Sequence, residues 1–274
     1  MNLLALAARQ LSDYDRHRPG LVFVEQSLPL TLTQAYELQF KVAQLREQRG
    51  ECLAGYKIGC ISRTMQAQLG LDQPVFGHVW ESECHASGSV IDTARYDGLA
   101  VEGEFAVRLD SDIPSADWLQ RNPGALGDGF VIIELHNYVF RAPVAGRAAE
   151  LVANNAIHAG VVLPVEETTS AAPGASASAT LKVVRNGEAL GETNGDELEG
   201  GLMPGILHLA RHLERYDRRL RQGQLILTGS PLPLWRVVAG DRIEVLSEQL
   251  GQQVVVRVRG ADAERDAAPD RRGM

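Results

Sequence analysis

From Gly55 onward the sequence changes from helical periodicity to short β-like runs that glycine and proline separate. Apolar, β-branched runs bounded by such residues are typical of strands. Strands are predicted at Ala54–Ile58, Leu99–Leu109, Gly129–Leu135, Ile157–Leu163, Leu181–Arg185, Ala189–Glu192, Asp241–Leu246 and Gln253–Arg259. The segment between the first strand and about Gly88 is expected to be loop-rich. Because strands and helices do not alternate regularly, the pattern predicts an α+β fold rather than a doubly wound sheet.

Helical periodicity is clearest before residue 50 and after residue 203. Thr31 and Gln34 have the spacing of a capping box, and Gly50 is expected to end the helix that they begin. The stripe on one face of this helix consists of Ala35, Leu38, Val42 and Leu45. A second helix is predicted over Pro204–Arg219, where proline suits the first turn.

These patterns divide the chain into three regions. We expect an N-terminal helical region at 1–53, a β-rich catalytic domain at 54–260 and a disordered tail at 261–274. The stretch Thr168–Thr180 is rich in alanine, serine, proline and glycine, so a mobile loop is expected there.

Charge limits the partners of the protein. The formal net charge is -8, from 27 basic and 35 acidic residues, and no basic run reaches the density that a polyanion requires. Nucleic acid is therefore not expected as a partner. A negative protein repels an anionic substrate, so binding an acid would need a local positive charge such as a metal ion or a placed lysine.

Cysteine usage and apolar patterning bear on location. Cys52, Cys60 and Cys84 are an odd set without metal-finger spacing, which fits a reducing compartment. No targeting signal is recognised at the N-terminus, and no apolar run has the length of a membrane span. We expect a cytoplasmic protein with no membrane partner.

Two glutamates on one predicted strand are candidate metal ligands. Side chains of a strand alternate, so Glu102 and Glu104 point to the same side of Leu99–Leu109. Paired carboxylates repel each other unless a proton or a cation lies between them, and Mg²⁺ or Mn²⁺ prefers such oxygen ligands. The alternative is that this side of the strand is simply solvated.

Glu134 and Lys57 are further candidates. Glu134 lies in a run apolar enough to be buried on both faces, where an ionised carboxylate needs a metal or a partner such as His136. Lys57 lies between glycines in Gly55-Tyr56-Lys57-Ile58-Gly59 and would supply the local positive charge. The alternative for Lys57 is a surface position on an edge strand.

Several motifs together carry a family resemblance. Gly55-Tyr56-Lys57-Ile58-Gly59, the segment Met65–Pro74 and Phe76-Gly77-His78 resemble the N-terminal signature of 2-keto-4-pentenoate hydratases and 4-oxalocrotonate decarboxylases, a branch of the fumarylacetoacetate hydrolase superfamily. Glu102-Gly103-Glu104 followed by Glu134 is similar to the metal triad of that family. The later landmarks of the resemblance are Val152–Ala156, Leu227–Ser230 and Ala239–Asp241.

The resemblance implies a mixed β-sheet roll, a Mg²⁺ or Mn²⁺ ion held by Glu102, Glu104 and Glu134, and contact between Lys57 and a small 2-oxo acid substrate. It also implies a homo-oligomer and a carbon–oxygen lyase of aromatic compound catabolism. Glu81 is then a candidate for proton transfer. The substrate-binding candidates are Ser230, Trp235 and Asn155.

The sequence departs from the family pattern near the expected pocket, which leaves the exact substrate open. Asn154 stands where aspartate is usual, His136-Asn137-Tyr138 replaces Asp-Ser-Arg, and Pro231–Trp235 replaces small residues. A hydratase is preferred because Leu227–Ser230 is closer to the hydratase form. The alternatives are a decarboxylase, a hydrolase of C–C bonds and a catalytically silent partner subunit. A hydrolase needs a base, for which the candidates are His78, His136 and His158.

Overall fold

A computed structural model describes residues 2–25, 28–139, 146–167, 178–197 and 201–260. Its helices are Leu3–Asp15 (α1), Leu21–Glu25 (α2), Leu32–Gln48 (α3), Arg63–Leu69 (α4), Ala116–Arg121 (α5), Ala148–Ala153 (α6) and Met203–Glu214 (α7). Its strands are Leu53–Gly59 (β1), Val75–Trp80 (β2), Cys84–Ala86 (β3), Val90–Asp92 (β4), Leu99–Leu109 (β5), Leu126–Asn137 (β6), His158–Leu163 (β7), Thr180–Arg185 (β8), Glu188–Asn194 (β9), Leu225–Leu227 (β10), Trp235–Arg236 (β11), Arg242–Ser247 (β12) and Gln252–Arg259 (β13). The predicted tail 261–274 and most of the predicted loop 168–180 lie outside the described residues.

The N-terminal helices pack together and against the sheet. The predicted capping box begins α3, because the Thr31 side chain accepts from the Gln34 backbone and the Gln34 side chain accepts from the Thr31 backbone. The buried amide of Gln39 donates to the carbonyl oxygens of Phe76 and Val152, which joins α3 to β2 and α6. Of the described helices, none is long and apolar enough to cross a membrane.

The larger sheet holds the centre of the fold. Its strand order is β2-β1-β10-β5-β6-β7-β3, and β11 pairs with β5. The two longest strands, β5 and β6, run antiparallel in the middle, whereas β1 and β10 are parallel. Strands β2 and β7 lie near opposite ends of this order and also pack against each other, so the sheet curls into a roll.

A five-stranded sheet of order β4-β13-β12-β8-β9 covers the outer face of the roll. Val101, Phe105 and Ile133 of the large sheet pack against Val183 and Val245 of the small one. The larger sheet therefore forms a mixed β-roll that the helices and the smaller sheet cover, and the predicted α+β class is confirmed.

The expectation of loops up to Gly88 is wrong, because this segment contains α4, β2 and β3. All six residues of β2 are buried, including Gly77. A Cβ atom at Gly77 would lie 2.6 Å from the backbone oxygen of Asn155, so glycine serves close packing here rather than a turn. Similarly, α7 ends at Glu214 and not at Arg219.

Candidate active site

The pairing of β5 with β6 brings the predicted glutamates together. Glu102 lies directly opposite Glu134, and Glu104 opposite Ile132, so Glu104 is the diagonal neighbour of Glu134. Opposed residues of an antiparallel pair share a face and lie within side-chain reach. Glu104 and Glu134 are buried, and Glu102 is partly buried. The solvated outer face considered from the sequence is therefore wrong for these strands.

Gly103 explains why the two glutamates of β5 flank a glycine. It faces the small sheet, and a Cβ atom there would lie 2.5 Å from Cγ2 of Val183 and 3.0 Å from Cγ2 of Val245. A side chain at this position would separate the two sheets. Glycine thus lets the sheets approach while its two neighbours point together into the roll.

Glu104 is held at one oxygen only. Its Oε2 accepts from the backbone N–H of Gly229 at 3.0 Å, and the φ of Gly229 is +86°, in the region that favours glycine. Burial, followed by the charges of Glu134 and Glu102, raises the pKa of Glu104 well above its usual value. Within the described part of the chain, Oε1 of Glu104 and Oε2 of Glu134 have no hydrogen-bond donor. Two buried carboxylates with such oxygens need a proton or a cation between them.

Glu134 has positive partners on its other oxygen. Lys57 Nζ lies 3.2 Å from Oε1, and Nδ1 of His158 lies 2.7 Å from the same atom. Burial alone would raise the pKa of Glu134, but the charges of His136 and Lys57 and the hydrogen bond with His158 together lower it. Burial would lower the pKa of Lys57, yet the three glutamates outweigh it and raise that pKa.

Lys57 is buried, so the edge-strand surface position considered from the sequence is wrong. It lies on β1, whose neighbours in the sheet are β2 and β10. A Cβ atom at Gly59 would lie 3.0 Å from Lys57 Nζ. Gly59 therefore leaves the space that the ammonium group occupies.

His136 belongs to the site, although the sequence suggested it only as a partner or a base. Its Nε2 lies 3.1 Å from Oε2 of Glu102 and 3.5 Å from Oε2 of Glu134, and the geometry makes no hydrogen bond with either. Glu102, Glu134 and His136 each offer one atom within a sphere that suits a metal ion. The sequence feature that could have indicated this role is the spacing of Glu134 and His136, because residues two positions apart on one strand share a face.

Of this cluster, Lys57, Glu102 and His136 line a cavity of about 530 Å³. Lys57, Glu102, His136 and Ser230 supply polar groups to its wall. Oγ of Ser230 accepts from the backbone N–H of Leu232 at 3.0 Å, which leaves its hydroxyl hydrogen available to a ligand.

Three other predicted site residues lie outside this wall. Glu81 is exposed at the end of β2, and its backbone N–H donates to Cys52. The indole of Trp235 is beside Gly191 of β9, because the short strand β11 carries it toward the small sheet. Asn155 exchanges two hydrogen bonds with the backbone of His78 and lines a separate cavity. Their positions give no support to the roles predicted for them.

The candidate bases differ in position. His78 lies in the separate cavity among Phe40, Tyr56 and Trp80, and burial lowers its pKa to about 3. His158 also lines that cavity, and its Nδ1 is hydrogen-bonded with Oε1 of Glu134. Of the three histidines suggested for a hydrolase, His136 alone lines the cavity that contains Lys57.

The fold and the site define a class: a mixed β-roll protein with clustered carboxylates around a buried lysine that lines a largely apolar cavity. The family model described as fumarylacetoacetate (FAA) hydrolase C-terminal matches residues 61–258. The chain belongs to this family, as the resemblance indicated.

Two curated relatives cover most of the chain. The 2-keto-4-pentenoate hydratase of Paraburkholderia phymatum is 30% identical over 256 residues, which are 91% of this chain and 95% of the relative. The 2-hydroxyhexa-2,4-dienoate hydratase of Comamonas testosteroni is 28% identical over 229 residues, or 81% of this chain and 84% of the relative.

A solved structure supports the fold. The 4-oxalocrotonate decarboxylase of Pseudomonas putida G7, complexed with magnesium and adipate, has a TM-score of 0.79 at 22% identity and covers 93% of this chain and 97% of its own. At this identity the similarity establishes the fold of the roll and no finer property.

Proposed function

We propose that this protein is a metal-dependent lyase that adds water to a small unsaturated 2-oxo acid, in its 2-hydroxy-dienoate form, as in meta-cleavage catabolism of aromatic compounds. The observation that carries the proposal is the cluster of Glu102, Glu104 and Glu134 around Lys57, of which Lys57 and Glu102 line a cavity. Similarity to relatives named as hydratases supports the choice of reaction.

The cluster fits a divalent cation on its own geometry. Oxygens of Glu104 and Glu134 lack donors, and the ring nitrogen of His136 faces carboxylate oxygens without hydrogen bonding to them. Atoms that converge in this way without donors are what a shared cation requires. We propose that Glu102, Glu104 and Glu134 hold Mg²⁺ or Mn²⁺, with His136 as a further candidate ligand. A cation bound there would supply Lewis-acid chemistry for the 2-oxo group of the substrate.

The remaining groups act on the substrate directly. Three carboxylates neutralise a divalent cation, so a separate positive charge is needed for the substrate carboxylate in a protein of net charge -8. The ammonium of Lys57 provides it, and its hydrogen bonds strengthen as negative charge develops on the substrate. The hydroxyl of Ser230, which also lines the cavity, donates to a substrate oxygen.

A decarboxylase is the second candidate. Sequence similarity to the 4-oxalocrotonate decarboxylase of Pseudomonas putida supports it, and the same electron sink would serve loss of carbon dioxide. A C–C hydrolase has less support, because His78 lies outside the cavity and His158 is occupied by Glu134. A silent partner subunit is disfavoured by the complete set of charged groups.

Metal dependence provides the test of this proposal. Exhaustive chelation should abolish turnover of 2-keto-4-pentenoate, and added Mg²⁺ or Mn²⁺ should restore it. Turnover that persists in metal-free protein would refute the metal-dependent reaction.

We also propose a homo-oligomer in the cytoplasm. The three free cysteines agree with a reducing compartment, and sedimentation of the purified protein would measure the assembly.

A further inference from the structure

The active-site cavity has two chemically different parts. One part contains Lys57, Glu102 and His136. His136 lies beside Glu102, and both His136 and Lys57 lie beside Glu134. Hydroxyl groups of Ser62, Thr64, Tyr138 and Ser230 also line the cavity, and most of the remaining wall is hydrocarbon from α4, α6 and the segment that follows Ser230. The principal apolar side chains there are Ile61, Met65, Leu69, Leu151, Leu232 and Leu234.

The apolar part is poorly suited to a second carboxylate. Among described residues that line the cavity, Lys57 is the only lysine or arginine, and Glu134 holds its ammonium at 3.2 Å. A carboxylate pressed against leucine and isoleucine would lose its hydration without gaining a cation to offset that loss. A hydrocarbon tail would instead gain the full benefit of burial.

The size of the cavity points the same way. At about 530 Å³ it is within the range of pockets for ligands much larger than a five-carbon acid. With the substrate carboxylate and 2-oxo oxygen held at the charged end, the unfilled space lies along the leucines. Each tail methylene that fills this space should strengthen binding by about fourfold.

We infer that this cavity selects monocarboxylic 2-oxo acids with an apolar tail of several carbons, and rejects dicarboxylic acids of the same length. The inference rests on the proposed function for the orientation of the substrate. It makes the segment Pro231–Leu234, together with α4, the specificity-determining wall of the site.

Calorimetric binding of unreactive saturated acids to the Mg²⁺-loaded protein tests the inference. We expect affinity to rise along 2-oxopentanoate, 2-oxohexanoate and 2-oxooctanoate, and 2-oxooctanedioate to bind at least about tenfold more weakly than 2-oxooctanoate. A flat series, or equal or tighter binding of the dicarboxylic acid, would overturn the inference.

Met65 offers a matched pair of variants. It lines the cavity from α4 and is 42% exposed, so that polar replacements should fold. Met65→Lys should reduce the preference for 2-oxooctanoate over the dicarboxylic acid by about tenfold, whereas the neutral Met65→Gln should not. An unchanged preference in Met65→Lys, with a normal melting temperature, would show that this wall does not face the tail.

Turnover of 2-keto-4-pentenoate separates this inference from the proposed function. Turnover combined with a preference for dicarboxylic acids would refute the inference and leave the hydratase intact. The expected binding series without turnover of any unsaturated acid would refute the hydratase and leave the selectivity as a property of the cavity.

Discussion

The ammonium group of Lys57 lies 3.2 Å from a carboxylate oxygen of Glu134, although two strands of the sheet, β10 and β5, separate the strands that carry them. Both side chains are buried. The curl of the sheet brings them across the inside of the roll. Glu134 thus positions Lys57 through Oε1, and its Oε2 has no hydrogen-bond donor among the described residues.

Lys57→Met tests the role of this ammonium. The change keeps most of the buried stem and removes the charge, so we expect turnover to fall by roughly 10²-fold or more. Metal affinity should hardly change, because the glutamates remain. Steady-state kinetics and metal titration measure the two effects, with Lys182→Met of the small sheet as the control. Near-normal kcat and KM in Lys57→Met would show that Lys57 does not act on the substrate.

Gly59→Ala tests the position of the same group without removing it. The added methyl would lie 3.0 Å from Lys57 Nζ and 3.7 Å from Val75, so the flexible ammonium end must move while the backbone need not. We expect a melting temperature within a few degrees of wild type and activity lower by about 10- to 100-fold. Full activity would mean that the position of Nζ is not critical.

Glu104→Gln tests the metal site. In the wild type, Mg²⁺ should raise the melting temperature, since an ion that binds only the folded state stabilises it by about 2.7 kcal/mol at a hundredfold excess over Kd. Glu104→Gln removes a carboxylate that burial and its neighbours make costly to ionise, so the metal-free variant should be no less stable. Its melting temperature should not respond to Mg²⁺.

Glu81→Gln is the matched control, because Glu81 is exposed and outside the cavity wall. The control should keep the metal-induced shift and the turnover. Loss of turnover in Glu81→Gln would restore the proton-transfer role that the family resemblance implies for this residue. An equal response of wild type and Glu104→Gln to Mg²⁺ would place the ion elsewhere.

Acid should destabilise the protein through a buried histidine. Burial, followed by the charges of Arg215 and His208, lowers the pKa of His212 from 6.5 to about 4. The unfolded chain therefore binds the proton first, and stability is lost as pH falls from 6.5 toward 4. The loss is on the order of 2–3 kcal/mol.

His212→Phe should reduce that loss, because the ring stays among Tyr36, Phe40 and Phe76 and no longer titrates. Chemical denaturation at several pH values measures the effect, and Tyr216→Phe is the control in the same cluster. If wild type and His212→Phe lose stability equally between pH 6.5 and 4, the buried histidine is not the cause.

Sequence patterns predicted the elements that a capping motif or a regular periodicity defines along the chain. The capping box fixed the start of α3, and strict alternation gave β5 from Leu99 to Leu109. Strand β2 was missed because Gly77 reads as a break until the backbone of Asn155 is seen against it. Close approach between distant segments leaves no periodic trace in a sequence.

The site shows the same division. Alternation placed Glu102 and Glu104 on one face, but only the register of β5 with β6 shows that Glu134 faces Glu102 and that His136 joins them. Trp235 was expected in the pocket because Pro231–Trp235 replaces small residues near the pocket that the family resemblance implies. The short strand β11 instead turns its indole toward Gly191.

The most direct test of the central claim is product analysis by NMR. The protein is incubated with Mg²⁺ and a panel of 2-hydroxy-dienoic acids that includes 2-hydroxypenta-2,4-dienoate and the dicarboxylic 4-oxalocrotonate. We predict the 4-hydroxy-2-oxo acid that water addition gives, with every carbon retained, and the same product at a much lower rate with Lys57→Met. Release of carbon dioxide from the dicarboxylic acid without hydration, or an unaltered panel in the presence of bound metal, would contradict this prediction.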